Sequence, residues 1–94
     1  MVIGLLTLDL HFPGARSLKD KRQALRSLET KIKNRHNVSV AEVEHQDLWQ
    51  RTTLGIVGIA SARVPLEQTF AAIQREIAGR SPGDVLSCDV EYLS

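Results

Sequence analysis

The sequence predicts an α+β sandwich, with four strands in one antiparallel sheet and two helices on one face. Three observations predict it. Apolar residues alternate through the first dozen positions, two later stretches repeat them at helical spacing, and strand-like and helix-like segments follow in the order βαββαβ. With 94 residues, 43% of them hydrophobic and 24% charged, the chain has an ordinary globular composition. That length supports one core and not two, so residues 1–94 are expected to form a single domain.

Val2 to Phe12 carries an apolar residue or glycine at every even position. The odd series drifts from Ile3 and Leu5 to Thr7, Asp9 and His11, as in a strand with one buried face. Pro13-Gly14 breaks this strand, and Ser17 followed three residues later by Asp20 has the form of a capping box. Leu18, Leu25, Leu28 and Ile32 make the apolar stripe of a helix from Leu18 to Arg35, with Asn37 as its stop.

Val38 to Glu44 alternates and is rich in valine, which predicts a second strand. Thr52 to Ser61 is apolar in both parities and β-branched, which predicts a third, with His45 to Arg51 as the loop between them. Pro65 suits the first turn of a second helix bearing Leu66, Phe70, Ile73 and Ile77, which Gly79 ends. After the turn residues Ser81-Pro82-Gly83-Asp84, Val85 to Leu93 is the last strand.

Right-handed crossovers make this order a ferredoxin-like fold with strand order 4-1-3-2. Three connections then emerge at one end of the sheet. Arg16, Lys19, His45, Gln46, Asp47, Trp49, Gln50, Arg51 and Arg80 are expected to share that rim.

Charge is distributed unevenly. Between Pro13 and Asn37 lie eight of the 12 Lys and Arg residues and only two acids, Asp20 and Glu29. The segment carries +6, and the remaining four cations and nine acids carry −5, within a total of +1. On a helical wheel Lys19, Arg22, Arg26 and Lys33 fall within about 60° of one another, a ridge beside the apolar stripe. The i,i+4 partners that balance an ordinary surface helix are mostly missing. A solvated face that serves solubility is the plain alternative. The loop His45-Gln46-Asp47-Leu48-Trp49-Gln50-Arg51 holds the only tryptophan, suited to stacking on a base or gripping a protein, or else to folding back over the core.

Other classes fare worse. The apolar start is too short to span a bilayer and lacks a basic leader, so a cytoplasmic protein is expected, without membrane association. The single cysteine, Cys88, sits among Leu86, Val90 and Tyr92 at strand spacing and is expected to be a buried, reduced thiol. Asp9, His11, His45 and Asp47 match no ligand spacing, so no metal, cofactor or catalytic residue is assigned. Acylphosphatases use this fold with an arginine after the first strand. By that fold-level analogy alone, Arg16 admits a small phosphate-ester hydrolase.

RNA-recognition domains of this topology bind through aromatic residues on the open sheet face. Here that face lacks them. It carries Thr7, Asp9 and His11, with Asp89 and Glu91 beside them, while Ile3, Leu5, Val57 and Ile59 form an apolar portion that a homodimer would cover.

The run FPGARSLKDKR followed by NVSVAEVEHQDLWQRTTLG resembles the YlxP-like family of small bacterial proteins of unknown function, over nearly the whole chain. The resemblance implies a ferredoxin-like fold. Its members are often encoded beside genes for translation initiation and ribosome maturation, which implies ribosomal RNA or a ribosome-associated factor as partner. It supplies no catalytic residues.

The expectation is therefore a non-enzymatic binding protein of the translation apparatus. Arg16, Lys19, Lys21, Arg22, Arg26, Lys33 and Arg51 would contact phosphates, and His45, Gln46, Asp47, Trp49 and Gln50 would make the other contacts. A protein-interaction module acting through Trp49 or the open sheet face is the alternative.

Overall fold

In the computed structural model, which describes residues 1–78 and 84–93, the elements are β1 (Val2–His11), α1 (Leu18–Arg35), β2 (Val38–Glu44), β3 (Arg51–Ala60), α2 (Arg63–Ala78) and β4 (Asp84–Leu93). The strands form one antiparallel sheet ordered β2-β3-β1-β4, which is 4-1-3-2 read from the β4 edge. Relative to expectation, β3 starts and ends one residue earlier, and α2 begins two residues before Pro65. Pro65 stays in the first turn, where the amide it lacks has no intrahelical partner. Gly79, Arg80 and the turn residues Ser81, Pro82 and Gly83 lie outside the described residues.

Leu6, Leu8, Leu10 and Phe12 point from β1 into the helix layer, where they join Leu54 and Ile56 of β3, Leu25 and Ile32 of α1, and Leu66, Phe70, Ile73 and Ile77 of α2. The close approach of α2 depends on two glycines that face each other across β1 and β3, Gly4 and Gly58. A Cβ at Gly4 would lie 2.7 Å from Cε2 of Phe70 and 2.9 Å from Leu66, whereas at Gly58 it would meet the flexible end of Leu66 at 2.7 Å. Phe70 is 1% exposed and its ring packs at a tilt against Tyr92, 6.2 Å between centroids, so it has nowhere to retreat. Gly4→Ala is therefore expected to cost about 1–3 kcal/mol by overpacking. A thermal melt should show a drop of several degrees, larger than for Gly58→Ala.

The α1 cap forms as the sequence indicates. Ser17 is extended, its Oγ accepts the Asp20 amide at 3.1 Å, and the Asp20 carboxylate accepts the Arg16 amide at 3.1 Å. At the other end of α1, Arg35 and His36 both reach Glu76 of α2, at 2.9 and 2.8 Å.

Both sheet edges are irregular near the same end. Register shifts between Glu42 and Glu44 of β2, leaving Val43 as an extra residue, and opposite Asp9 and Leu10 of β1, leaving Leu86 of β4 as another. Such bulges twist an edge away from further pairing.

One expectation is corrected here. Cys88 is exposed and not buried: it lies opposite Leu8 on the outermost strand, β4, most of whose side chains remain accessible. Partial desolvation, helped by Asp89, still pushes its thiol pKa up, which works against thiolate reactivity.

Candidate nucleic-acid interface

The rim is a braced structure. Pairing of His11 with both Arg51 and Asp84 places the ends of β1, β3 and β4 side by side, next to the start of α1. The turn after β1 closes with the Ala15 amide on the Phe12 carbonyl at 3.1 Å. It is tied to the β2–β3 loop by the Phe12 amide, which donates to the Gln50 carbonyl at 2.8 Å. The Gln50 side-chain amide completes the link, donating to the Ala15 carbonyl at 3.1 Å and more weakly to that of Pro13 at 3.4 Å. Gln50, expected to contact a partner, instead spends its amide inside the molecule.

Lys21 requires a larger correction. It is only 1% exposed, so it cannot contact phosphate. Its Nζ lies 2.8 Å from Oε2 of Glu42 and donates to the His45 carbonyl at 2.5 Å. The same Glu42 oxygen accepts the hydroxyl of buried Thr52 at 2.5 Å. The physical reason lies on the wheel: Lys21 precedes Leu25 by four residues and Leu28 by seven, which puts it on the apolar stripe and not on the ridge. Glu42 follows Val38 and Val40 on the helix-facing side of β2, so opposite charges meet under α1.

His45 is the one non-glycine residue among those described with positive φ, at 65°. That left-handed conformation costs a bulky residue free energy and needs support. Two donors on its carbonyl supply it: the Leu48 amide at 3.1 Å and the Lys21 ammonium. Outward from this anchor, Leu48 is 47% and Trp49 52% exposed, so the indole does not fold back over the core. Gln46 and Asp47 are exposed beside them.

The rest of the cationic set is presented to solvent. Arg16, Lys19, Arg22, Arg26 and Lys33 are all exposed, and among the described residues none of them makes a salt bridge. Lys19 to Lys33 spans roughly 21 Å of helix at 1.5 Å per residue. Glu29 borders the ridge, and desolvation raises its pKa, with Glu42 adding to the rise while Lys33 and Arg26 oppose it. This places the ridge on the β2 side of α1.

Arg51 does not join that group. It starts β3 opposite His11, is half-buried, and acts on Asp9 of the open sheet face. Its buried Nε has no partner among the described residues. Arg16 and Trp49, by contrast, directly flank the hydrogen bond between Gln50 and Ala15.

On the open face, the Asp9 carboxylate accepts hydroxyls from both neighbouring strands, Thr53 of β3 and, at 2.9 Å, Ser87 of β4. The Thr53 hydrogen bond, then that of Ser87, holds its carboxyl below the usual range, with Arg51 and His45 assisting against partial burial. Glu76 is likewise lowered, first by its hydrogen bond to His36 and also by Arg35. For depressed carboxylates the stabilisation is present above the ordinary values of 3.8 and 4.5 and is lost as pH falls through the folded values. Thermal midpoints should therefore hold from neutral pH down to about 5 and fall below that. Asp9→Asn combined with Glu76→Gln should flatten the acid limb in a pH series of melts.

The pattern of the family described as a protein of unknown function, DUF503, matches residues 3–90. The chain belongs to that family. It is 40% identical over 77 residues to the uncharacterized protein YlxP of Bacillus subtilis (strain 168), a match that covers 82% of this chain and 80% of that protein. The DUF503 match spans every residue of the ridge and the rim loop. The Lys21–Glu42 pair and the Gln50 link are the site features that sequence reading missed. Their signal was available: a lysine in an apolar stripe and a glutamate on a strand's inward parity.

No helix among the described residues is long and apolar enough to cross a membrane.

Proposed function

We propose that this protein is a non-enzymatic RNA-binding protein that lays the α1 ridge along a phosphate backbone and offers Trp49 at the rim to an unstacked base. One observation carries the reading: five exposed cations without ion-pair partners lie along one face of α1 and its N-terminal approach. A helix fixes their spacing, so little order must be gained when phosphates bind. Five like charges near one another repel, and an anionic polymer relieves that repulsion while releasing its counterions. The exposed indole of Trp49 adds a stacking surface indifferent to base identity.

The open sheet face supports RNA less well, since Asp9, Asp89 and Glu91 share it by register with Thr53, Thr7 and Leu5. The phosphate-ester hydrolase reading loses ground as well. The Asp20 carboxylate already takes the Arg16 amide, the donor a phosphate in that loop would require.

A protein-docking module remains the second reading, favoured by the exposure of Leu48 and Trp49. Ribosomal RNA is the first candidate ligand, and the cytoplasm the expected compartment, given the resemblance to proteins encoded beside translation genes. Crosslinking in cells, followed by sequencing of the RNA and identification of the proteins recovered, tests this directly. Enrichment of RNA supports the proposal, and proteins recovered without RNA support docking.

A further inference from the structure

We propose that the open face of the sheet is the interface of a homodimer, packed face to face about a two-fold axis that runs along the strands. The register places Ile3, Leu5, Val43, Val57, Ile59 and Leu93 on this face, away from both helices. Val57, Ile59 and Leu93 are 44%, 54% and 66% exposed at the end of the sheet distant from the rim, and Val43, 49% exposed nearer the rim, lies with Leu5 over Gly55. Patches of this kind mark surfaces that are covered in the working state.

Four features point to a second copy as the cover. The first is the irregular edges: bulges at Val43 and Leu86 disfavour growth of the sheet sideways and leave its face as the surface for association. The second is that the carboxylate at the middle of the face, Asp9, can be buried. Asp9 is already satisfied by Thr53 and Ser87, so covering it strands no unpaired carboxylate.

The third is charge. The acids Asp89 and Glu91 lie on β4, while β2 presents Ser39 and Ala41 on the same face at the opposite edge, with its one acid there, Glu44, next to the rim opposite Thr53. A two-fold along the strands sets β4 of one protomer over β2 of its partner, which keeps Asp89 and Glu91 away from their own copies and lays apolar end on apolar end. The patch is thus self-complementary, as an isologous contact requires.

The fourth is area. Four strands about 4.8 Å apart and up to ten residues long make a face of roughly 600 Å² in projection. Side-chain relief brings that near the ~800 Å² per partner of a stable interface. In such a dimer both helix layers, and hence both basic ridges, face outward.

Light scattering at tens of micromolar tests the proposal. A protomer of 10.4 kDa should run at twice that mass, and Ile59→Lys or Val57→Lys should return it to 10.4 kDa with the thermal melt of a folded protein. Both positions are exposed in the protomer, so the lysines are compatible with folding. Independently of any variant, dilution of the wild-type protein should shift the methyl resonances of Ile3, Val57 and Ile59 and leave the indole of Trp49 unmoved. A wild-type monomer at these concentrations, a dimer that survives both lysines, or dilution shifts confined to the Trp49 loop or to β4 would each overturn it.

Discussion

Replacing Lys21 by alanine is expected to destabilise the protein by about 3 kcal/mol, the lower part of the range for breaking a buried ion pair. The side chain is 1% exposed, and its removal leaves Glu42, itself 17% exposed, with only the Thr52 hydroxyl for company. The residual exposure of Glu42 lets water repair part of the loss, which is why the lower part of the range applies. The second consequence is local. Without the ammonium, the His45 carbonyl keeps a single donor and the left-handed residue loses support, so the β2–β3 loop should open more often. Denaturant melts read the first effect. Faster proteolysis between residues 45 and 50, with altered Trp49 fluorescence, reads the second. Lys21→Met with Glu42→Gln should recover much of the global stability, because it removes the uncompensated charge, yet leave the loop loose. Recovery of both properties would show that Lys21 merely fills space.

The other large effect concerns the ridge. Arg22→Glu with Arg26→Glu changes the local charge by four units on a surface without partners, so stability should shift by no more than about 0.5 kcal/mol. Binding to ribosomal RNA fragments should nevertheless fall by roughly 100-fold at moderate salt, since two phosphate contacts become repulsions. Lys33→Glu, near the far end of the helix, should cost less if the RNA is gripped chiefly at the rim. Trp49→Ala tests the stacking contribution, expected at about 1–3 kcal/mol per base. If Trp49→Ala abolishes partner capture while the double reversal is harmless, the docking reading replaces the RNA one.

Much of this molecule was legible in its sequence. Strict alternation in β1 gave its buried face, and Ser17 with Asp20 gave the start of α1, because both signals are local. What escaped was long-range pairing. Charge counting placed Lys21 among the cations expected to contact phosphates, although its wheel position set it with Leu25 and Leu28. Only the crossing of α1 over β2 makes it the partner of Glu42. Gln50 read as a recognition residue because an amide in a loop looks available, and its targets, the carbonyls of Pro13 and Ala15, are 35 or more positions away. Cys88 read as buried by its apolar neighbours, although the outermost strand leaves it uncovered. Each miss concerns a polar or sulfur side chain whose surroundings depend on packing between distant segments.

The central claim is that a line of unpartnered cations on α1 binds a phosphate backbone, and the salt dependence of RNA binding tests it most directly. With four or five phosphates neutralised, the logarithm of the association constant should fall with the logarithm of salt concentration at a slope of about −3 to −4. The Arg22→Glu, Arg26→Glu protein should show a shallower slope, smaller in magnitude by about 1.5. A slope near zero, or one that the double reversal leaves unchanged, would contradict the claim.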